Sequence, residues 1–200
     1  MRFRRKLLVR VRAAALVLFL FTLGSARLLA DDISWGSTVS GMRVGVALGQ
    51  GSAGKELRVV FANMAPTQRS LLIAQQGGRA PSTAYAFAIH ALGGPDGKEY
   101  VIFYWVDGGL GRLVPISLVA PYVAAIPSGR MYEVDIPLKL LFKTERGGNM
   151  GLESMLRQGY KVRVSYRVVP NQVKRILYDH PDLWTGEMDS GDVGLPLNLH

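Results

Sequence analysis

The sequence predicts an all-β protein, an antiparallel sandwich of about seven to nine strands with one or two short helices. Three observations carry that expectation. Apolar and polar residues alternate with period two in at least five separate segments, the signature of strands with one buried face. Glycine- and proline-rich turns separate these segments (23 Gly and 10 Pro in 200 residues). Helical periodicity is confined to two short stretches. A barrel is the rival architecture, because strand patterning alone does not separate it from a sandwich.

The elements follow in order. Met42, Val44, Val46 and Leu48 share one strand face, with Arg43, Gly45 and Ala47 on the other. After a loop at Gly49–Gly54, Leu57, Val59 and Phe61 repeat the pattern against Arg58, Val60 and Ala62. Tyr85, Phe87 and Ile89 alternate with Ala84, Ala86, Ala88 and His90. Gly93-Gly94-Pro95-Asp96-Gly97-Lys98 then supplies a tight turn. It leads into Tyr100–Val106, apolar on both faces and expected to be a central, doubly covered strand. These two runs should pair as a hairpin. Tyr132, Val134, Ile136 and Leu138 alternate with Met131, Glu133 and Asp135. Tyr160, Val162, Val164, Tyr166 and Val168 alternate with Lys161, Arg163, Ser165 and Arg167, the cleanest strand of all. A last strand is expected between Leu183 and Met188. Residues 151–158 form a short helix with Leu152, Met155 and Leu156 on one side, stopped by Gly159. Residues 173–177 form another turn or two before Pro181.

The N-terminus carries a separate message. Arg2, Arg4, Arg5, Lys6, Arg10 and Arg12 precede an uncharged run of 11 residues, Ala13–Leu23, and small residues follow at Gly24-Ser25-Ala26 and at Ala30. A basic, an apolar and a small-residue region in that order make residues 1–30 a secretory signal peptide, cleaved after Ala26 or Ala30. The apolar run is too short for a spanning helix, which needs about 20 such residues. An uncleaved anchor would place Arg27 within the span. Arg4-Arg5 also fits a twin-arginine signal, so the export route stays open between the two. The expected product, residues 31–200, is a single domain outside the cytoplasm (periplasmic, cell-envelope or extracellular), with no stable membrane span after processing.

Residues 1–30 hold seven of the 24 basic residues and none of the 15 acidic ones. The remainder has 17 basic against 15 acidic residues, so the formal charge of +9 is mostly that of the leader. Nucleic-acid binding loses its support, since it needs a basic surface on the folded domain itself. The absence of cysteine removes disulfides, a thiolate nucleophile, a lipid-anchoring cysteine and Cys-based zinc sites.

Candidates for chemistry are few. No G-x-S-x-G elbow, H-E-x-x-H or P-loop occurs. His90 lies mid-strand on an alanine-lined face, the setting of a structural histidine, and His200 is terminal. Asp179-His180-Pro181-Asp182 is the one cluster that resembles metal ligands, yet it offers at most three side chains from one stiff loop. Asp107-Gly108-Gly109-Leu110-Gly111-Arg112 has the glycines of a phosphate loop without its lysine, and fits a hairpin loop better. Lys161, Arg163, Arg167, Lys174 and Arg175 make a basic stripe that can attract an anionic polymer, or simply be a solvated face. Tyr100, Tyr104 and Trp105 on one strand, with Trp35 and Trp184 near the ends, raise a carbohydrate platform against ordinary core packing. No catalytic, metal or cofactor residue is assigned, and the binding residues are undefined.

Several short motifs carry a family likeness. They are Trp35-Gly36, Leu57-x-Val59-x-Phe61-x-Asn63, Gly97-Lys98, Gly159-Tyr160-x-Val162 and Leu183-Trp184-Thr185-Gly186-Glu187. In this order the chain resembles secreted bacterial immunoglobulin-like sandwich domains of uncharacterised function. It is also distantly similar to the intracellular-proteinase-inhibitor type of sandwich, though no inhibitory loop carries over. The resemblance implies an immunoglobulin-like sandwich and no activity. The function expected is therefore an exported, non-enzymatic module binding a protein or extracellular polymer. A metal-assisted hydrolase at Asp179, His180 and Asp182, or a structural component of the cell envelope, are the alternatives.

Overall fold

The computed structural model describes residues 32–51, 54–74, 85–106, 112–115, 121–145 and 148–195. By contacts the chain divides into Met1–Ile33 and Ser34–His200. The expected signal peptide, the glycine run Asp107–Gly111 and His200 lie outside the described residues.

The strands in chain order are β1 (Ser34–Trp35), β2 (Met42–Gly51), β3 (Gly54–Asn63), β4 (Arg69–Ala74), β5 (Tyr85–Leu92), β6 (Tyr100–Val106), β7 (Arg112–Pro115), β8 (Pro121–Ile126), β9 (Met131–Pro137), β10 (Leu141–Glu145), β11 (Gly148–Gly151), β12 (Lys161–Val168) and β13 (Gly186–Asp189). Two short helices, α1 (Leu152–Arg157) and α2 (Lys174–Asp179), stand where helical spacing placed them. Among the described residues strands far outnumber helices, so the protein is mostly β. Every strand pair is antiparallel.

One sheet runs β1-β2-β3-β9; a second runs β11-β10-β6-β5-β12-β13 with β7 also on β6; β4 and β8 pair by themselves. Alternation dictates what lies between them. Val44, Val46, Leu57, Val59 and Phe61 from the first sheet meet Ile89, Ile102, Val162, Val164 and Tyr166 from the second in one buried cluster. The rings of Phe61 and Tyr166 touch edge to face, with centroids 5.2 Å apart, a favoured aromatic geometry. On α1, Leu152, Met155 and Leu156 are buried in the same cluster, as their spacing required.

Three details depart from the sequence reading. The thirteen strands among the described residues exceed the seven to nine expected, because β4, β7, β8, β10 and β11 are short and mostly lack clean alternation. The Gly49–Gly54 loop shrinks to a two-residue connection, since the β2–β3 ladder continues to Gly51↔Gly54. β6 is central in its sheet, but Val101 is 46% exposed beside a buried Ile102, so that strand is not covered on both faces there.

Gly36 connects the two large sheets. Its N–H donates to the Val44 carbonyl at 2.9 Å, and a Cβ there would fall inside the backbone carbonyl of Asp189. Only glycine allows that approach of β1 to the end of β13. The Gly191 N–H completes the join by donating to the Ser34 carbonyl at 3.1 Å.

Candidate functional site

The outer, solvent-facing side of β5, β12 and β13 gathers the polar halves of the alternating patterns. Register sets Arg163 opposite His90, and Ser165 opposite Ala88 on one side and Asp189 on the other. Arg167 lies opposite Glu187. Residues on one strand face recur every second position, about 7 Å apart, so diagonal neighbours across strands are within reach of long side chains.

Two such diagonals form. His90 Nε2 lies 2.9 Å from Ser165 Oγ. His90 Nδ1 lies 2.8 Å from Glu99 Oε1, reaching back from the residue before β6. The second contact is short but off the N–H axis, so Nδ1 has no aligned hydrogen bond. With its proton on Nδ1, the imidazole accepts the Ser165 hydroxyl at Nε2. Arg163 Nε donates to Asp192 Oδ1 at 2.8 Å. That bond raises the guanidinium above its ordinary range, against the opposing effect of burial and with help from the charges of Asp192, Asp189 and Glu99.

The basic stripe is thereby balanced. Arg163 is held by Asp192, and Arg167 faces Glu187 across the ladder. Lys174 and Arg175 lie on α2, away from the ladder of β12. Acidic residues interleaved with Arg163 and Arg167 make this face poorly suited to a polyanion.

Among the described residues, Trp35, Tyr100 and Trp184 are not brought together as a platform. Trp184 is buried, packs against Tyr166 with centroids 5.7 Å apart, and donates its indole N–H to the Val39 carbonyl at 3.0 Å. Trp35 carries the Arg43 guanidinium 4.1 Å above its ring. Tyr100 and Tyr160 meet edge to face at 6.0 Å, and Lys143, only 5% exposed, places Nζ 4.0 Å from the Tyr100 ring centroid. The rings of Tyr104 and Trp105 lie outside the described part of the chain.

The Asp179-His180-Pro181-Asp182 loop serves the fold. Asp182 Oδ2 accepts from Gln68 Nε2 and Ser70 Oγ, each at 2.8 Å. Burial alone would raise the Asp182 carboxyl, but these two bonds outweigh it and lower the group below its ordinary range. The Asp182 carbonyl accepts from the Ser70 N–H at 3.0 Å, and the Trp184 N–H donates to the Ser70 carbonyl at 2.8 Å. No group of three metal-ligating side chains exists among the described residues. At the glycine run, Val106 of β6 pairs with Arg112 of β7. A strand therefore follows where a phosphate loop would need a helix.

Sequence reasoning missed Ser165 and Glu99. Ser165 was legible only as a polar-face position, and Glu99 stood in a turn with no pattern at all. What joins them to His90 is strand pairing across 75 residues for Ser165, which single-sequence periodicity does not encode. Comparison of this chain with protein-family models, curated proteins and solved structures gave no match.

Proposed function

We propose that the chain is an exported, immunoglobulin-like β-sandwich module that binds a protein or extracellular polymer through the outer face of β5, β12 and β13. The observation that carries this reading is the pre-ordering of that face. Arg163 is fixed by Asp192 and His90 by Ser165 while both remain accessible. Groups already held in place lose less entropy on binding. Alternating donors and acceptors suit a hydroxyl-rich polymer or a polar protein surface, and give a nucleic acid no uninterrupted positive track. The basic, apolar and small-residue order of residues 1–30 supports export. The engagement of Asp182 Oδ2 by Gln68 and Ser70 favours this reading over the metal-assisted alternative at Asp179, His180 and Asp182.

The test is retention of the processed protein on insoluble polysaccharides (cellulose, chitin, peptidoglycan sacculi) and on immobilised envelope proteins. Arg163→Ser with Arg167→Ser should weaken retention by about tenfold or more, since truncating charged partners at an interface costs a few kcal/mol. Equal retention by the double variant would move the site elsewhere. Native protein that starts at Met1 in the cytoplasmic fraction would defeat export.

A further inference from the structure

Ser165 Oγ, His90 and Glu99 stand in the order hydroxyl, Nε2, Nδ1, carboxylate, with separations of 2.9 and 2.8 Å. That is the sequence of atoms by which a nucleophile, its general base and an orienting carboxylate are recognised, whatever the fold. A hydroxyl that merely satisfies a surface imidazole needs no carboxylate on the far nitrogen. We propose that Ser165 is a nucleophile that His90 activates and Glu99 orients, acting on acyl esters presented to this face.

The surroundings suit the step. Ala88, directly across from Ser165 on β5, leaves the hydroxyl unobstructed by a larger side chain. Arg163 and Arg167 flank Ser165 two residues to either side on the same face, and supply the cations for a developing oxyanion. Asp189 across the ladder on β13, Asp192 paired with Arg163 and Glu187 opposite Arg167 oppose them, so the oxyanion competes with these carboxylates for the two arginines. Glu99 is 62% exposed at its side chain and His90 21%. The carboxylate has room to turn into line with the Nδ1–H, and catalytic hydrogen bonds of unliganded sites often tighten only with substrate bound.

In the first half-reaction Ser165 Oγ attacks the ester carbonyl carbon and its proton passes to His90 Nε2. The C–O bond to the alcohol breaks, and the departing alkoxide takes that proton from Nε2. In the second, His90 removes a proton from water, which attacks the Ser165 ester. The released carboxylic acid leaves, and Ser165 recovers its proton. No oxidant, metal or cofactor enters the balance.

The chain's lack of cysteine makes the test specific. Full-length and processed protein are exposed to a fluorophosphonate probe and to p-nitrophenyl acetate. One adduct on Ser165 is expected, with ester hydrolysis lost in Ser165→Ala, and reduced about 100-fold or more in His90→Ala, the scale of a general base. Ser165→Cys gives a second, independent readout: iodoacetamide should alkylate the lone thiol faster with His90 present than in the Ser165→Cys, His90→Ala pair. Hydrolysis unchanged in Ser165→Ala, an adduct elsewhere or none, or alkylation indifferent to His90 each overturns the assignment. Retention on a polymer tests binding separately, because Ser165→Ala leaves Arg163 and Arg167 in place.

Discussion

The hydroxyl of Tyr166 closes both backbone groups of Leu72, donating to its carbonyl and accepting from its N–H, each at 3.0 Å. Leu72 lies on β4, whose other edge pairs with β8. The neighbouring position Ser70 is closed in the same sense by the Asp182 carbonyl and the Trp184 N–H. One buried side chain and one loop thus replace the strand that β4 lacks on that side, and seal an edge that would otherwise be open.

Tyr166→Phe keeps the ring and removes both bonds, leaving a buried donor and acceptor without partners. Each orphaned group costs about 1–3 kcal/mol. A domain of this size loses roughly 2–4 °C of melting temperature per kcal/mol. A thermal melt should therefore show a drop of at least about 4 °C and up to roughly 24 °C, and a shift below about 1 °C would mean that β4 is held by β8 alone.

Asn63 is fully buried, and its amide is spent on three partners. Nδ2 donates to the carbonyls of Thr67 and Ile126, both at 2.8 Å, and Oδ1 accepts from the Ala65 N–H at 2.9 Å. It ties the turn after β3 to the end of β8. Asn63→Asp should destabilise more than Asn63→Ala, because the carboxylate would face two carbonyl oxygens with no donor to offer. Removing a buried hydrogen-bonded group costs about 1–3 kcal/mol, and burying an unpaired charge more. Urea unfolding of both variants decides it; an Asp variant as stable as the parent would contradict the assigned amide orientation.

Alternation made β2, β3, β9 and β12 readable, because each has one face in the core and a period of two leaves no other solution. Spacing made α1 readable through Leu152, Met155 and Leu156. β4 and β8 were not readable: Arg69–Ala74 and Pro121–Ile126 have no clean alternation, and their closure depends on Tyr166 and Asp182, about 95 to 110 residues away in sequence. Lys143 follows the same logic. It alternates in phase with the buried Leu141, and the edge-to-face rings of Tyr100 and Tyr160 make the interior tolerable for an ammonium group. The candidate site was half legible. His90 and the alanine face were visible, while the partners on β12 and before β6 depend on strand order.

Val164→Asp and Arg163→Ser separate the two faces of β12. Val164 is fully buried in the core cluster, and an unpaired charge there costs about 3–5 kcal/mol out of the roughly 5–15 kcal/mol that hold a typical domain. Arg163 is 43% exposed at its side chain, and its pairing with Asp192 is screened by solvent, so its loss is worth about 0–1 kcal/mol. Melting curves should show the aspartate variant largely unfolded and the serine variant within a few degrees of the parent. The reverse order would mean that the strand is turned over.

Acid should loosen the turn between β5 and β6 through Asp96. Tyr100 donates its hydroxyl to Asp96 Oδ2 at 2.6 Å, and the Lys98 N–H donates to Oδ1 at 3.2 Å. The Tyr100 bond first, then one from Tyr160, lowers the carboxyl from 3.8 to about 2. The turn itself is set by Gly97, which adopts φ +66° and donates its N–H to the Gly94 carbonyl at 3.0 Å. A carboxyl whose folded value lies below its unfolded one stabilises the fold fully above the unfolded value, and loses that contribution as pH falls through the folded one. The difference in melting temperature between the parent and Asp96→Asn should therefore be constant near neutrality, and should narrow as pH falls from 3.8 toward about 2. Tyr100→Phe should shrink the same difference at every pH above that window. A gap that stays flat down to the acid end would show that the carboxylate does not anchor the two tyrosines, and that the turn is held by its backbone alone.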